Sequence, residues 1–393
     1  MTDLVLVRGG IQRYAWGSPS LIPNYFGWPV TNEPVAELWI GDHPALPSTA
    51  MMNGRWVSLP DLIADEPDRW VGTAVFDRYG PHLPMLLKVL GIASPLSLQA
   101  HPTRAQAVEG FAREDALGID RSSPERSYRD DRAKPEMICA LTSMEALCGF
   151  RDPTESQEMF AAVGGPLLPF IERLAFPAEL PGLVGDLLSL DRSHQQQLTA
   201  AVGEQRAKLP WASGAVIGQL ADEYPDDAGA VVALLLNVIS LAPGQALYLP
   251  AGNLHAYLSG LGVEVMGSSD NVLRGGLTPK HVDVPELVRT LVPTVGPWPI
   301  ISPETIENVD QLVRYRTPSP EVELIRAVVD HVERDLPSSV GPTLFLVTKG
   351  QVDVSTTGAI VSLRAGDAAL GGPGLVARVR GAGELWRAES RFT

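Results

Sequence analysis

The chain has 393 residues, of which 45% are hydrophobic, and a formal net charge of −15. Its length and apolar content predict a globular, multi-domain protein with roughly two or three hydrophobic cores. The acidic balance argues against nucleic acids and anionic membranes as partners, because both require a broad basic surface. Cys139 and Cys148 are too few for a disulfide framework or a cysteine zinc site, so any metal needs His, carboxylate or amide ligands.

The N-terminal sequence MTDLVLVRGG lacks the basic segment and apolar stretch of a signal peptide. No apolar run of membrane-spanning length follows. We therefore expect a cytoplasmic protein that acts as a monomer on a small molecule, with neither nucleic acid nor membrane as a partner.

Up to about residue 150, short apolar segments are separated by Gly and Pro, as in LPMLLKVLGIASPLSLQAHP, which predicts strands joined by turns. From Pro153 to about Leu236, apolar residues recur three and four positions apart, as in HQQQLTAAVGEQRAKL, which predicts helices. The strand pattern resumes at about Ile239. The sequence therefore predicts a mainly β protein with a helical insertion.

A second β unit is predicted near the C-terminus, in TLFLVTKGQVDVSTTGAIVSLRAGDAALGGPG. The segments LAPGQALYLPAG, from Leu241, and LRAGDAALGGPG, from Leu363, share the order Leu, Gly, Gln or Asp, Ala and a later Gly. This similarity fits a duplicated β-barrel, although Gly before a strand is also a common turn signal. No His follows His331, so a metal would belong to the first barrel.

The segment LSLQAHP carries polar residues at alternate positions, at Ser97, Gln99 and His101. In a strand these side chains share one face. The face can bind a metal and a sugar, or it can lie in water. By itself the segment favours the exposed strand. Farther on, YRDDRAKPEMICAL places Lys134 and Glu136 on one face of an apolar strand, which by itself is more typical of an exposed ion pair.

The segment LYLPAGNLHAYLSGLGVEVMGSSDNVLRGGLTPK has the densest group of reactive side chains. His255 follows a turn, Glu264 lies on the next strand, and a Gly-rich loop carries Asp270, Arg274 and Lys280. This concentration favours a functional site. The three segments together supply two imidazoles, a carboxylate and an amide oxygen, which suit zinc and also fit other divalent metals. His43, in the segment GDHPALPS, is expected near the first barrel, and its role stays open.

From His255 onward, this last segment closely resembles the signature of the type I mannose-6-phosphate isomerase family, departing at Gly267 and Gly275, where the family usually has Ala. Shorter matches support the resemblance: YAWGS at 14–18, AELWIGDHP at 36–44, LSLQAHP at 96–102 and KPEM at 134–137. The resemblance implies two cupin-type jelly-roll β-barrels plus an α-helical domain. The metal-binding catalytic barrel would comprise residues 1–150 and 237–310, the helical insertion residues 151–236, and a second barrel without metal ligands residues 311–393.

Carried over to this sequence, the family's metal site falls on Gln99, His101, Glu136 and His255, which implies one zinc ion per chain. A Gln ligand is uncommon for zinc but is expected in this family. The resemblance also implies interconversion of mannose 6-phosphate and fructose 6-phosphate through a cis-enediolate.

One stretch departs from the family pattern, which reads Tyr, any, Asp, any, Asn, His, Lys, Pro, Glu. Here YRDDRAKPE has Arg132 and Ala133 in place of the Asn and His. Ala133 cannot transfer a proton, so Lys134 and Glu264 become the candidate proton carriers, and sequence does not decide between them.

The expected substrate contacts surround these catalytic candidates. Arg274 is expected to support the sugar oxygens or the phosphate, Lys280 and Ser97 to bind the phosphate, Asp270 to orient Arg274, and Trp16 to line the substrate site. Two other functions stay open at this point. One is a different metal-dependent cupin enzyme, such as an oxygenase or another sugar-phosphate isomerase, and the other is a non-catalytic sugar-binding double barrel.

Overall fold

The protein was analysed as a computed structural model, which describes residues 3–307 and 309–392. The strands of the first half of the chain are β1 (Leu4–Arg8), β2 (Gly10–Gln12), β3 (Glu37–Ile40), β4 (Thr49–Met52), β5 (Arg55–Ser58), β6 (Met85–Ile92), β7 (Gln99–Ala100), β8 (Glu136–Ala140) and β9 (Met144–Phe150). Those of the second half are β10 (Leu236–Leu241), β11 (Ala246–Leu249), β12 (His255–Gly267), β13 (Leu273–Arg274), β14 (Ile300–Ile301), β15 (Glu304–Ile306), β16 (Val309–Tyr315), β17 (Glu323–Asp330), β18 (Arg334–Asp335), β19 (Thr343–Ser355), β20 (Ile360–Arg364), β21 (Ala368–Gly371) and β22 (Arg378–Glu389).

The helices are α1 (Leu21–Phe26), α2 (Leu59–Asp65), α3 (Pro67–Trp70), α4 (Thr73–Tyr79), α5 (Arg104–Ala116), α6 (Pro153–Val163), α7 (Leu180–Leu188), α8 (Arg192–Gln205), α9 (Trp211–Glu223), α10 (Gly229–Val232) and α11 (Val284–Thr290). Short 3-10 segments cover Gly165–Ala175, Pro177–Glu179, Arg206–Lys208 and Ala233–Leu235. None of the helices in the described ranges has the length and apolar character needed to cross a bilayer.

Most strands of the described chain form two sheet systems. In the first, the order is β14-β11-β8-β12-β6-β3-β2; β7 and β9 also pair with β12, β13 pairs with β7, and β10 pairs with β9. In the second, the order is β15-β16-β17-β22-β19-β21-β1-β4-β5, with β18 beside β22 and β20 beside β19. The predicted mainly β protein with a helical insertion is therefore confirmed.

Alternation along the central strands of the first sheet separates a packing face from an inner face. Met137 and Cys139 of β8 pack in a core that also contains residues of the second sheet, whereas Ile138 and Ala140 pack in the interior of the first sheet. Glu136 precedes Ile138 by two positions and so shares the inner face. The outer faces hold the two β units together, and the inner face is available for a site.

The helices α6–α10 occupy the stretch predicted as an insertion and share one core with β7, β13 and α11. Asp191 begins α8 by accepting a hydrogen bond from the amide of His194. Helices also occur before residue 150, at α1 to α5, where the sequence predicted mainly strands. The longest, α5, begins with a capping box between Thr103 and Gln106, a signal that the strand interpretation overlooked.

The N-terminal boundary of the predicted catalytic barrel is wrong for three strands. β1 pairs with β21, aligning Leu4 with Gly371, and its other edge pairs with β4, which pairs with β5. These strands therefore extend the C-terminal sheet rather than the first one. The physical reason is that β1 has two edges to satisfy, and β21 and β4 supply the hydrogen bonds.

Candidate metal centre and active site

Two histidines and a glutamate meet on the inner face of the first sheet. His101 follows β7, Glu136 begins β8 and His255 begins β12, and each is at most 2% exposed. One ligand atom from each side chain lies within 4.8 Å of the others. Nε2 of His101 lies 3.3 Å from Glu136 Oε1, and Nε2 of His255 lies 3.4 Å from Glu136 Oε2.

Hydrogen bonds on the far side of each ring decide which nitrogen carries the proton. Nδ1 of His101 lies 2.8 Å from the carbonyl oxygen of Asn271, and Nδ1 of His255 lies 3.1 Å from that of Asn253. A carbonyl oxygen can only accept, so each Nδ1 donates, and in the neutral ring each Nε2 keeps its lone pair. Two lone pairs therefore face a carboxylate, an arrangement that requires a cation.

The unpaired atoms and their spacing fit a metal ion. Nε2 of His101, Nε2 of His255 and Oε2 of Glu136 are buried and lack a hydrogen-bond partner among the described residues. Tetrahedral zinc with bonds of about 2.0–2.1 Å separates neighbouring ligand atoms by about 3.3 Å, which is close to the 3.3 and 3.4 Å found here. The donor set of imidazole nitrogens and carboxylate oxygens also suits zinc.

Protonation states favour the same interpretation. Burial lowers the pKa of His101 to about 4, so the imidazole is neutral near pH 7, as a ligand must be. Burial alone would raise the pKa of Glu136, but the ammonium of Lys134 and the contacts with His101 and His255 together outweigh burial and hold the pKa well below its usual range. Nζ of Lys134 lies 3.0 Å from Glu136 Oε1.

Gln99 lies beside this cluster through strand pairing. It is opposite His255 in the β7–β12 pairing and opposite Arg274 in the β7–β13 pairing. Directly opposite residues place their Cβ atoms about 4.5–5.5 Å apart on one face of the sheet. The register therefore places Gln99 within reach of the position between the histidines, as a fourth ligand requires.

The cluster lies in the wall of a cavity of about 770 Å³. This cavity brings together residues from all three segments that the sequence singled out. Its lining includes Trp16, Ser97, Gln99, Lys134, Glu136, Glu264, Asp270, Arg274 and Lys280. Each predicted site residue thus lines the cavity or, for His101 and His255, lies against Glu136 in its wall.

Glu264 is held in a buried network beside the metal cluster. The hydroxyl of Tyr257 donates to Glu264 Oε1 at 3.0 Å. Glu264 lies opposite Lys88 in the β12–β6 pairing. Burial, followed by the negative charge of Glu136, raises the pKa of Glu264 to about 8, while Lys88 opposes the rise. Such a carboxyl group can both accept and return a proton near neutral pH.

Lys88 is a buried cation that the sequence prediction missed. Its Nζ lies 3.5 Å from Glu37 and 4.3 Å from the centre of the Trp39 ring. Burial would lower its pKa, but Glu37, Glu264 and Glu136 outweigh burial and raise it, so Lys88 is charged. The signal available in the sequence was a single Lys inside the otherwise apolar strand MLLKVLGI.

Part of the cavity wall is cationic. Arg274 and Lys280 both line it, and neither has an ion-pair partner among the described residues. Burial lowers the pKa of both, and nearby positive charges lower it further, from Arg129 in both cases and from Arg274 in that of Lys280. Unpaired cations that repel one another form a local site for an anion such as phosphate.

Asp270 does not orient Arg274 as expected. It instead contacts His43, whose Nε2 lies 3.3 Å from Asp270 Oδ1. Nδ1 of His43 accepts from the amide of Ala45 at 3.3 Å, so Nε2 carries the hydrogen and donates. The loop after β3 brings His43 to the cavity wall, where it meets Asp270. Sequence spacing alone could not show this contact.

Comparison with known proteins agrees with this geometry. Residues 4–153 match the family of the phosphomannose isomerase type I catalytic domain. The chain is 41% identical over 288 residues to the mannose-6-phosphate isomerase of Salmonella typhimurium, covering 71% of this chain and 72% of that protein. It is 32% identical over 377 residues to that of Schizosaccharomyces pombe, covering 86% and 87%.

Solved structures extend the likeness to the whole chain. The holo, zinc-bound crystal structure of mannose 6-phosphate isomerase superposes with a TM-score of 0.90 at 30% identity, covering 99% of this chain and 100% of that one. A mutant of phosphomannose isomerase from Salmonella typhimurium gives a TM-score of 0.91 with the same identity and coverage. Sequence and fold together show that this chain belongs to the type I mannose-6-phosphate isomerase family.

Proposed function

We propose that this chain is a zinc-dependent aldose–ketose isomerase that interconverts mannose 6-phosphate and fructose 6-phosphate. The observation that carries the proposal is the meeting of His101, Glu136 and His255, with their facing atoms unpaired, in the wall of a cavity that is also lined by unpaired cations. A metal site and an anion site in one cavity fit a phosphorylated sugar. An oxygenase requires no such cationic wall.

Gln99, His101, Glu136 and His255 would hold the zinc, which when bound supplies a Lewis acid that stabilises negative charge on the sugar oxygens. Lys134 keeps Glu136 ionised and places an ammonium beside the cluster, where it can donate to the enediolate oxygens. This assignment makes Lys134 a charge-stabilising group rather than the base.

Glu264 is the proposed proton carrier. In the forward direction its carboxylate takes the proton from C2 of the open-chain sugar, leaving a cis-enediolate; a proton then passes from O2 to O1, and the carboxyl group returns its proton to C1. Its raised pKa suits both transfers, and the hydroxyl of Tyr257 fixes the carboxyl group. Ala133 does not line the cavity, so its lack of an acid or base group leaves this route intact.

Arg274 and Lys280 would bind the phosphate with Ser97, while Trp16 and Asp270 would contact the sugar. All five residues line the cavity. Trp16 stacks on Tyr14 with ring centres 5.9 Å apart, which gives the sugar an aromatic wall. His43 holds the carboxylate of Asp270 toward the cavity.

A coupled assay tests the function. The protein should convert mannose 6-phosphate to fructose 6-phosphate, lose this activity with a chelator, and regain it with zinc, while consuming no oxygen. Oxygen consumption would instead indicate another cupin enzyme. Sugar-phosphate binding without turnover in the zinc-loaded protein would indicate a binding protein.

We further propose that the enzyme acts as a cytoplasmic monomer with separate barrel and helical domains. The residues of one chain are enough to form the described site, so the proposed activity requires no second subunit. Sedimentation analysis at working concentrations should give the mass of one chain, and cell fractionation should place the activity in the cytosol.

A further inference from the structure

Asp227, in the helical insertion, contacts the loop that follows the cationic strand β13. Its Oδ2 accepts from the amide of Thr278 at 3.1 Å, and its Oδ1 accepts from the amide of Gly229 at 2.7 Å. One carboxylate therefore closes a turn at the start of α10 and also holds a loop of the catalytic barrel. The exposed neighbour Asp226 points elsewhere, to Arg192.

The loop fits closely against the insertion at this point. Gly276 has φ +109°, and a Cβ added there would lie 2.7 Å from Asp227 Oδ1. A Cβ on Gly229 would lie 2.7 Å from the amide nitrogen of Leu277. Leu277 itself has φ +56°, and its side chain is buried in the core of the insertion. Leu277 is not a glycine, so its positive φ requires support from its surroundings.

The two ends of this loop are held by different parts of the molecule. At its start, Gly275 and Gly276 exchange hydrogen bonds with Leu98, next to Gln99, at 2.7 and 3.0 Å. At its end, Asp227 holds the amide of Thr278, whose Oγ1 accepts from the amide of Lys280 at 3.2 Å. A chain of hydrogen bonds thus runs from the insertion to Lys280.

We infer that Asp227 is a positioning residue, which acts through Thr278 to set the place of Lys280 relative to the metal cluster and so the affinity for the phosphate of the substrate. The inference rests on the proposed function. It gives the helical insertion a role in the reaction, although the insertion contributes none of the proposed metal ligands.

The Asp227→Asn variant distinguishes the positioning of the loop by Asp227 from the effect of its negative charge. Removing the negative charge of Asp227 would, through charge alone, favour the binding of an anion and lower the KM. Loss of position would raise the KM. The side-chain amide of Asn has one acceptor oxygen, so it cannot accept from the backbone amides of both Gly229 and Thr278. We expect the KM for mannose 6-phosphate to rise about tenfold while kcat changes less than about threefold.

Two further variants guard against a general structural effect. Asp226→Asn removes the same charge one position earlier without touching the loop, and its KM should equal that of the wild type. Asp227→Ser can still close the turn with Gly229 through its hydroxyl, but it is too short to hold Thr278 as well. It should show the same rise in KM as Asp227→Asn, and both variants should unfold at temperatures close to that of the wild type.

A double-mutant cycle tests the path through Lys280. In a Lys280→Met background, Asp227→Asn should change the KM by less than about twofold, because the group that it positions is gone. An unchanged or lowered KM in Asp227→Asn and Asp227→Ser, or an equal effect in both backgrounds, would overturn the inference.

Amide hydrogen exchange separates this inference from the proposed function. The Thr278 amide should be protected in the wild type and exchange faster in Asp227→Asn, whether or not the protein turns over substrate. Rapid exchange in the wild type would contradict the contact itself. Protection without isomerase activity would reject the proposed function, and with it the role in phosphate binding.

Discussion

The two β units bury acidic side chains in opposite ways. In the first sheet, Glu136 faces the Nε2 lone pairs of His101 and His255, at 3.3 and 3.4 Å. In the second sheet, Glu389 lies 2.9 Å from the guanidinium of Arg387, which is itself 1% exposed. Arg387 neutralises Glu389 directly, whereas Glu136 has Lys134 on one oxygen and also faces two imidazole lone pairs, which still require a cation.

This difference explains why one unit has a metal site. Within residues 3–307 and 309–392, the group of His, Cys, Asp and Glu side chains found to be close enough for a metal is the one on the first sheet. In the second unit, Glu323 is 2.9 Å from Arg314 and 3.3 Å from Arg391. Buried glutamates in ion pairs therefore stabilise the fold of the second unit, whereas the buried Glu136 of the first unit forms part of a metal site.

The largest effect should come from removing a metal ligand. His255→Ala should lower kcat by about a thousandfold or more and abolish stoichiometric zinc, because both the Lewis acid and its anchor are lost. Metal analysis and the isomerase assay measure this. His194→Ala, at an exposed histidine of the insertion, is the control and should retain both. Bound zinc with normal turnover in His255→Ala would refute the ligand assignment.

Loss of the proposed proton carrier should rank next. Glu264→Gln should lower kcat by about a hundredfold to ten thousandfold while zinc stays bound, since only the proton transfer is removed. Glu145→Gln, at an exposed position of the same sheet, is the matched control. If Glu264→Gln retains wild-type kcat, the proton carrier is another group, and Lys134 becomes the next candidate.

The raised pKa of Glu264 also predicts a pH dependence. The base form is ionised, so kcat/KM should rise with pH through the pKa of this group, which burial moves from 4.5 toward about 8. The ascending limb should disappear in Glu264→Gln. A profile in which the limb lies at or below 4.5 would contradict the assignment.

The cationic part of the cavity wall should affect binding more than chemistry. Lys280→Met should raise the KM for mannose 6-phosphate about tenfold with little change in kcat, because a phosphate contact persists from ground state to transition state. Lys208→Met removes an equal charge from the surface of the insertion and should leave the KM unchanged. Equal KM values for both variants would place the phosphate elsewhere.

The smallest effect on activity should come from the second unit. Glu389→Gln leaves Arg387 buried without its counter-charge and should lower the free energy of unfolding by about 3 kcal/mol. Urea unfolding with saturating zinc measures this loss. Zinc content and KM should stay at wild-type values. A loss of zinc from this variant would show that the two units are not independent in function.

Much of the site could be predicted because its signals are local. Alternation placed Gln99 with His101 on one face, and Lys134 with Glu136 on another, and the structure brings both pairs to the cavity. The resemblance to a family then joined segments far apart in the chain. Alternation alone could not show whether either face was buried, because burial depends on the neighbouring strands.

The rest depends on contacts between distant parts of the chain. The pairing of β1 with β21 and β4, the contact of His43 with Asp270, and the hydrogen bond from Thr278 to Asp227 each leave little trace in local sequence. A capping box did mark α5, but the Gly- and Pro-broken pattern around it was interpreted as strands. Tertiary pairing, rather than propensity, decides these features.

The most direct test is a zinc titration of the metal-free protein, followed by mannose 6-phosphate isomerisation. We predict that activity is absent without metal, rises in proportion to added zinc and reaches its maximum at one zinc per chain. Full activity in the metal-free protein, or a maximum that requires a second zinc, would contradict the single site formed by Gln99, His101, Glu136 and His255.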